Sequence, residues 1–299
     1  VRPCGWGDTG RPTAMPSSPA DPLRLLALGD SITDGGVKAR AWRYHLHASL
    51  FREGRSVRWL GSMIGVYDRK IGRNATAGAP LGSEADWPVE AQRHEGHWGW
   101  TAEQLLRGHE RQPQRGSIAT WLDALRPAPP HAALFHIGTN DLTKRVLREG
   151  VSVASVASDV RSILRRLCRS APQATVLLAL PIPHCRGGEA AQRRRRGVEA
   201  DYHARLEGIA ARHARCCRDV GDAATNAQSR CTLRLRAAAL YFRLRRKPPT
   251  ACPVARLRVV NMSTVVTCRM LIDGIHPDRR GAAHMAAAWM EGMRADGLL

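Results

Sequence analysis

VASVASDVRSILRRLCRSAPQATVLLALP, residues 153–181, is the stretch that decides the fold. Its first part sets Val156, Val160, Ile163, Leu164 and Leu167 on one face, with arginines and serines opposite, and so reads as an amphipathic helix over 153–170. Its second part, ATVLLALP (174–181), is continuously apolar. A strand reads that way when both of its faces are covered, as in a parallel sheet between helices.

The same alternation continues in both directions. LRLLALG (23–29), SVRWLGS (56–62), HAALFHIG (131–138) and RLRVVNM (256–262) read as further strands. ARAWRYHLHASLFREG (39–54) places Trp42, Leu46 and Leu50 at helical spacing and ends at Gly54. A helical pattern over 101–126 breaks near Gln112-Pro113, a long helix occupies roughly 190–214, and 279–295 closes the chain as a helix. Strands alternating with helices imply right-handed crossovers, hence an α/β fold: a three-layer α/β/α sandwich around a mostly parallel five-stranded sheet. In such sheets active groups gather outside the carboxyl ends of the strands. That rule puts Ser31, Gly138 to Asp141 and the residues after Met262 along one edge.

A chain of 299 residues can bury one large core or two modest ones, and 43% hydrophobic with 24% charged residues is ordinary for a globular protein. No apolar run is long enough to span a bilayer. No charged-then-apolar leader precedes the domain in a sequence that starts at Val1. The net charge of +20 is carried by arginine, since the lysines are only Lys38, Lys70, Lys144 and Lys247. Such charge is either the electrostatic footprint of a nucleic-acid binder or a set of arginine-rich solvated faces. No zinc-finger spacing or aromatic RNA-binding signature accompanies it. The second reading is therefore preferred, no specific nucleic-acid partner is expected, and attraction to polyanions remains as a side effect. The eight cysteines form no C-x-x-C pair and define neither a disulfide framework nor a reduced compartment.

Residues 1–22, rich in Gly, Pro, Ser and Thr, read as a flexible lead-in to a domain spanning 23–299. Within that domain 215–255 is strongly basic, cysteine-rich and weakly periodic, where a connection of about two to six residues is usual. It reads as an exposed, irregular insertion, either a genuine basic loop or an artefact of the gene model.

Four stretches carry chemistry. In GDSITDG (29–35), Ser31 follows the first strand at the start of a helix, where free N–H groups favour negative charge. It is not the elbow of the α/β hydrolases, which needs Gly two residues after the serine, where Thr33 stands. In DGIHPD (273–278), Asp273 and His276 are three apart, so one turn can aim both side chains together. Asp273 would hold the His276 tautomer while Nε2 takes a proton from Ser31. In IGTND (137–141), Asn140 can donate to a developing oxyanion. In HEGHWGWT (94–101), the backbone N–H of Gly99 or Gly96 can add a donor ahead of the helix that Thr101 starts. Each stretch alone also reads as an ordinary turn or cap. His94 and His97 are three apart around a glycine, which fails the H-E-x-x-H zinc pattern, so site-shaping hydrogen bonds are expected and no metal. Trp98 and Trp100 are either sugar-stacking platforms or core residues. Asn74 and Asn261 head N-x-S/T triplets, the second expected to be buried in its strand.

In their order, the four stretches resemble the SGNH branch of the GDSL hydrolases, over essentially all of 23–299 apart from 215–255. HEGHWGWT with RWLGS is similar, more narrowly, to carbohydrate esterase family three. The resemblance implies the flavodoxin-like SGNH hydrolase fold and a serine esterase without cofactor. Ser31 would be the nucleophile, His276 the base and Asp273 its orienting partner. The oxyanion hole would comprise the Ser31 and Gly99 N–H groups and the Asn140 side chain. Small acyl esters, O-acetyl groups on xylan-like polysaccharide above all, would be the substrates. Secretion is suggested by the resemblance only. A lipid esterase, lysophospholipase or thioesterase on the same scaffold is the nearest alternative, and a basic polyanion-binding protein with a vestigial site the more distant one. An imidazole base that must be neutral to act implies activity rising through about pH 6.5.

Overall fold

The computed structural model describes residues 21–36, 41–68, 70–76, 87–230 and 256–299. The five expected strands are β1 (Leu23–Gly29), β2 (Val57–Leu60), β7 (Ala132–His136), β8 (Thr175–Leu180) and β9 (Arg256–Asn261). Between the second and third of them lie four short strands, β3 (Met63–Ile64), β4 (Val66–Asp68), β5 (Arg73–Ala75) and β6 (Arg93–Gly96). The helices are α1 (Ser31–Asp34), α2 (Trp42–Arg52), α3 (Ala102–Arg107), α4 (Ile118–Ala124), α5 (Val153–Ser170), α6 (Glu189–Arg230) and α7 (Arg279–Ala295).

β1 pairs in parallel with β7 along one flank. Its other flank is shared: β2 pairs with Leu23 to Leu26, and β6 takes over opposite Leu28 and Gly29. β8 and β9 extend the parallel sheet beyond β7, and β3 adds one antiparallel pair to β6, making a sheet of seven strands among the described residues. The chain lays β2 and β6 on one side of β1 and then crosses to β7 on the other. The switch therefore falls between β1 and β7, and it is outside the carboxyl ends at such a switch that sheets of this kind place their ligands.

Side chains alternating along the strands sort the core into two layers. Leu26 and Leu28 of β1, Ala133 and Phe135 of β7, and Val176, Leu178 and Leu180 of β8 pack towards α3, α4, α5 and α6. Leu25, Ala27, Ala132, Leu134, Leu177 and Ala179 face the opposite way, against Trp42, Leu46 and Leu50 of α2 and Met285, Trp289 and Met293 of α7. Both faces of these strands are thus dry, which is why ATVLLALP shows no polar alternation. Trp42 stacks obliquely on Trp59 and Trp289, joining α2, β2 and α7. α5 keeps the expected bounds; Ser152 caps it by accepting from the Ser155 N–H, and Asp278 caps α7 from the Gly281 N–H.

Three expectations are corrected. The sheet has seven strands among the described residues rather than five, because the short strands β3 and β6 join it between β2 and β7 in the chain. The long helix does not stop near 214 but continues to Arg230, so the start of the segment read as irregular is helical. Residues 215–230 contain no proline and several alanines and arginines, which permit an unbroken hydrogen-bond ladder. The remainder of that segment, 231–255, lies outside the described residues, as does 1–20 of the lead-in. Asn261 is exposed rather than buried, because it is the last residue of the edge strand β9; its Oδ1 accepts from the Ser263 N–H and hydroxyl.

Candidate active site

β1 runs directly into Asp30 and Ser31 through Gly29, where a Cβ would stand 2.0 Å from the His136 carbonyl oxygen of β7. Only glycine lets the two strands deliver their ends this closely. Asp30 caps α1 by accepting from the Ile32 N–H at 3.0 Å. Burial pushes the Asp30 carboxyl up to about 7, against the pull of that N–H. Ser31 opens α1 and is 6% exposed.

Its hydroxyl meets a residue 245 positions away. His276 Nε2 lies 3.0 Å from Ser31 Oγ, and His276 Nδ1 lies 2.8 Å from Asp273 Oδ2. A carboxylate can only accept, so Nδ1 carries the proton and Nε2 is left to accept from the serine. The other carboxylate oxygen, Asp273 Oδ1, accepts from the Ile275 and His276 N–H groups at 3.0 and 2.8 Å, closing the Asp-x-x-His turn on itself. Partial burial raises the Asp273 pKa, but the His276 backbone and ring hydrogen bonds, its charge and the Ile275 N–H outweigh this and hold it below the usual range. The loop is anchored by the Leu271–Pro277 bridge, by the Cys185 N–H donating to the Gly274 carbonyl at 2.7 Å, and by the Cys185–Cys268 disulfide.

The oxyanion-hole candidates come from two segments held face to face. After β7, Asp141–Val146 winds as one π-helical turn. From this turn and its entry, Asn140 Nδ2 donates to the Trp100 carbonyl at 3.0 Å and Lys144 Nζ to the Gly99 carbonyl at 2.7 Å. Asp141 accepts from the Ala102 N–H with both oxygens, at 3.1 and 2.9 Å. The Asn140 amide has a second hydrogen to offer. The Gly96 N–H is taken by His94 Nδ1 at 2.9 Å. The N–H groups of Ser31 and Gly99, in contrast, have no acceptor among the described residues. Gly99 has φ +78°, a left-handed conformation suited to glycine, with Trp98 and Trp100 on either side.

The paired histidines serve as hydrogen-bonding struts. His94 Nε2 sits 3.7 Å from Asp34 Oδ1, an oxygen that also accepts from Asn74 Nδ2 at 2.9 Å. His97 Nε2 binds Glu95, whose carboxylate also accepts from the Ser62 N–H and hydroxyl. Both tryptophans are engaged by neighbouring rings. Trp100 is 1% exposed, stacks on His97 and packs in the core, so the sugar-platform reading does not hold for it. Trp98 is half-buried and stacks on both His276 and Tyr67.

Several residues that shape the site escaped the sequence. Arg43, fully buried, donates to the carbonyls of Thr33, Gln92, Asp34 and Gly65 at 2.7–3.0 Å and so ties α1 to the loops before β4 and β6. Burial lowers its pKa to about 9, opposed by Asp34, which leaves it charged at neutral pH. A signal existed: Arg43 shares the apolar stripe of Leu46 and Leu50 at i+3 and i+7, where a lone cation needs buried acceptors. Tyr67 and Lys144 had no such signal, since only folding brings them to Trp98 and Gly99.

The chain matches the GDSL-like Lipase/Acylhydrolase family over residues 27–284 and belongs to that family. Its fold is similar to that of a carbohydrate esterase of family 3 from Talaromyces cellulolyticus, with TM-score 0.54 and 18% identity, covering 91% of this chain and 97% of that one. The family 3 carbohydrate esterase of Clostridium thermocellum aligns with TM-score 0.53 and 19% identity, over 92% and 98%. The inhibitor-bound aryl esterase of M. smegmatis aligns with TM-score 0.50 and 14% identity, over 91% and 99%. No curated protein matches the chain by sequence.

Proposed function

We propose that this member of the GDSL-like acylhydrolases, an esterase, removes small acyl groups, chiefly O-acetyl, from carbohydrate through Ser31, His276 and Asp273. The observation that carries the reading is the continuous relay from Asp273 Oδ2 through the His276 ring to Ser31 Oγ, at 2.8 and 3.0 Å. Ser31 Oγ attacks the ester carbonyl carbon while its proton passes to His276 Nε2. The carbonyl oxygen, now negative, accepts from the Ser31 and Gly99 N–H groups and from Asn140 Nδ2. His276 then gives the proton to the departing sugar oxygen, leaving an acyl-Ser31 ester. Water, deprotonated by the same base, attacks that ester and releases acetate.

The short acyl group is favoured because Ser31 is only 6% exposed and its hydroxyl faces His276, whose ring is stacked on Trp98. Carbohydrate is favoured because the fold is shared with two family 3 carbohydrate esterases. The test is hydrolysis of p-nitrophenyl acetate beside the butyrate and longer esters, with Ser31→Ala as control, followed by acetate release from acetylated xylan. Acetate turnover that disappears in Ser31→Ala supports the reading. A preference for long chains assigns a lipid esterase or thioesterase instead, and a folded protein without turnover that binds heparin or DNA assigns the polyanion-binding alternative.

A further inference from the structure

The indole of Trp98 lies on the His276 ring with centroids 4.7 Å apart and planes inclined by 16°. The indole also stacks on Tyr67, at 4.5 Å and 26°. We infer that Trp98 is a positioning residue for the base: its π face holds the His276 ring in the plane that points Nε2 at Ser31, and steadies the imidazolium that forms when Ser31 gives up its proton. The inference rests on the serine-esterase reading above.

Among the described residues, Asp273, Ser31 and Trp98 are the side chains bonded to or stacked on the imidazole. Nδ1 is held by Asp273, Nε2 meets Ser31, and Trp98 covers a face. The Arg186 backbone lies against Gly274, and His184 is near enough to Asp273 to feel its charge. Burial, with help from Arg195, lowers the pKa of His184 to about 4, so it adds no charge near neutrality. The ring is therefore flanked by one carboxylate at its edge and one electron-rich face. That pair becomes more favourable when the ring turns cationic, and so acts on the transition state more than on the resting enzyme.

The indole is itself braced. Tyr67 belongs to β4 and pairs with Asn74 of β5, whose side chain bonds the buried Asp34 at the end of α1. Trp98 also immediately precedes Gly99, so the residue that steadies the base and the proposed oxyanion donor are consecutive. A shift of the indole would disturb both at once.

The experiment compares kcat and KM of the full chain with Trp98→Leu and Trp98→Phe on p-nitrophenyl acetate between about pH 5 and 9. Trp98→Leu is expected to lower kcat about tenfold, with KM changed less than about twofold. The acid limb of its kcat profile is expected to move to lower pH by about half a unit, because the cation loses a stabilising partner. Trp98→Phe, which keeps a π face, should recover most of kcat and most of the limb position. If Trp98→Leu does not fold, Trp98→Phe and Tyr67→Leu carry the same comparison, each with a smaller shift in the same direction. A raised KM with unchanged kcat would make Trp98 a substrate contact, and a lower kcat with an unmoved acid limb would make it packing only; either overturns the inference. Ser31→Ala separates this from the parent reading: an active Ser31→Ala refutes the serine mechanism, whereas an inactive one beside an unaffected Trp98→Leu refutes only the role of the indole.

Discussion

Replacing Asp273 with asparagine should change the tautomer of His276, the proposed base, and leave the rest of the site in place. The side-chain carbonyl of the asparagine would keep the two bonds that Asp273 Oδ1 accepts from the Ile275 and His276 N–H groups, so the turn survives. Its amide would then face His276 Nδ1, donor against donor, across the 2.8 Å that Asp273 Oδ2 now spans. The imidazole relieves this by moving its proton to Nε2, and Nε2 can then no longer accept from Ser31. In a buried triad this exchange costs about 10⁴ in kcat, about 5.4 kcal/mol in barrier height. Here the Asp273 side chain is 32% exposed and that of His276 18%, so water can solvate part of the mismatch. The expected loss is accordingly about 10³-fold in kcat, about 4 kcal/mol. Initial rates on p-nitrophenyl acetate, read beside a circular-dichroism melt, should give that loss with KM within about threefold and the melting midpoint within about 4 °C of the parent. An unchanged melt with more than about a tenth of the parent kcat would refute the orienting role of Asp273.

Three further outcomes follow from named contacts. Asn140→Ala removes the proposed oxyanion donor and the tie to the Trp100 carbonyl, and should lower kcat on p-nitrophenyl acetate by about 10²–10³-fold; a loss below about threefold counts against Asn140 in the hole. Arg43→Met strips the donor from four buried carbonyls and leaves Asp34 without its cation, so urea unfolding should register about 3–5 kcal/mol of destabilisation, and less than about 1 kcal/mol would contradict the arrangement. Asp30, raised to about 7 by burial, binds its proton more tightly folded than unfolded. Its contribution is therefore complete below about pH 4 and is lost as pH rises through about 7. Relative to Asp30→Asn, which keeps the acceptor for the Ile32 N–H but cannot ionise, the parent should lose at most about 4 kcal/mol between about pH 4 and 8; an unchanged difference in urea midpoints across that range would refute a buried, titrating Asp30.

Elements whose determinants are local were legible in the chain. α5 and α7 have the expected bounds, because an apolar stripe and a capping side chain, Ser152 or Asp278, lie within each segment. β8 announced its two-sided burial by a nearly unbroken apolar run, and β1 and β7 did so apart from Arg24 and His136. β6 did not. Its residues Arg93, His94, Glu95 and Gly96 look like a polar loop, and they enter the sheet because Asp34, Asn74 and Ser62 arrive from elsewhere to satisfy His94 and Glu95. Helix α6 beyond His213 was misread for a related reason: weak periodicity says what a helix packs against, not whether its backbone can form.

By itself the sequence determined the layered α/β class, the side of the sheet on which the polar stretches gather, and the family, through four blocks in a set order. All of these depend on residue type and spacing along the chain. Only the tertiary structure decided that, among the described residues, Gly99 rather than Gly96 keeps an unoccupied N–H, that Trp100 belongs to the core, and that Trp98 stacks on both Tyr67 and His276. Those outcomes rest on hydrogen bonds and ring faces contributed by segments that meet only when β1, β6 and β7 align. A spacing rule specifies the side chains a segment can present, whereas their orientation is set by the groups packed against them.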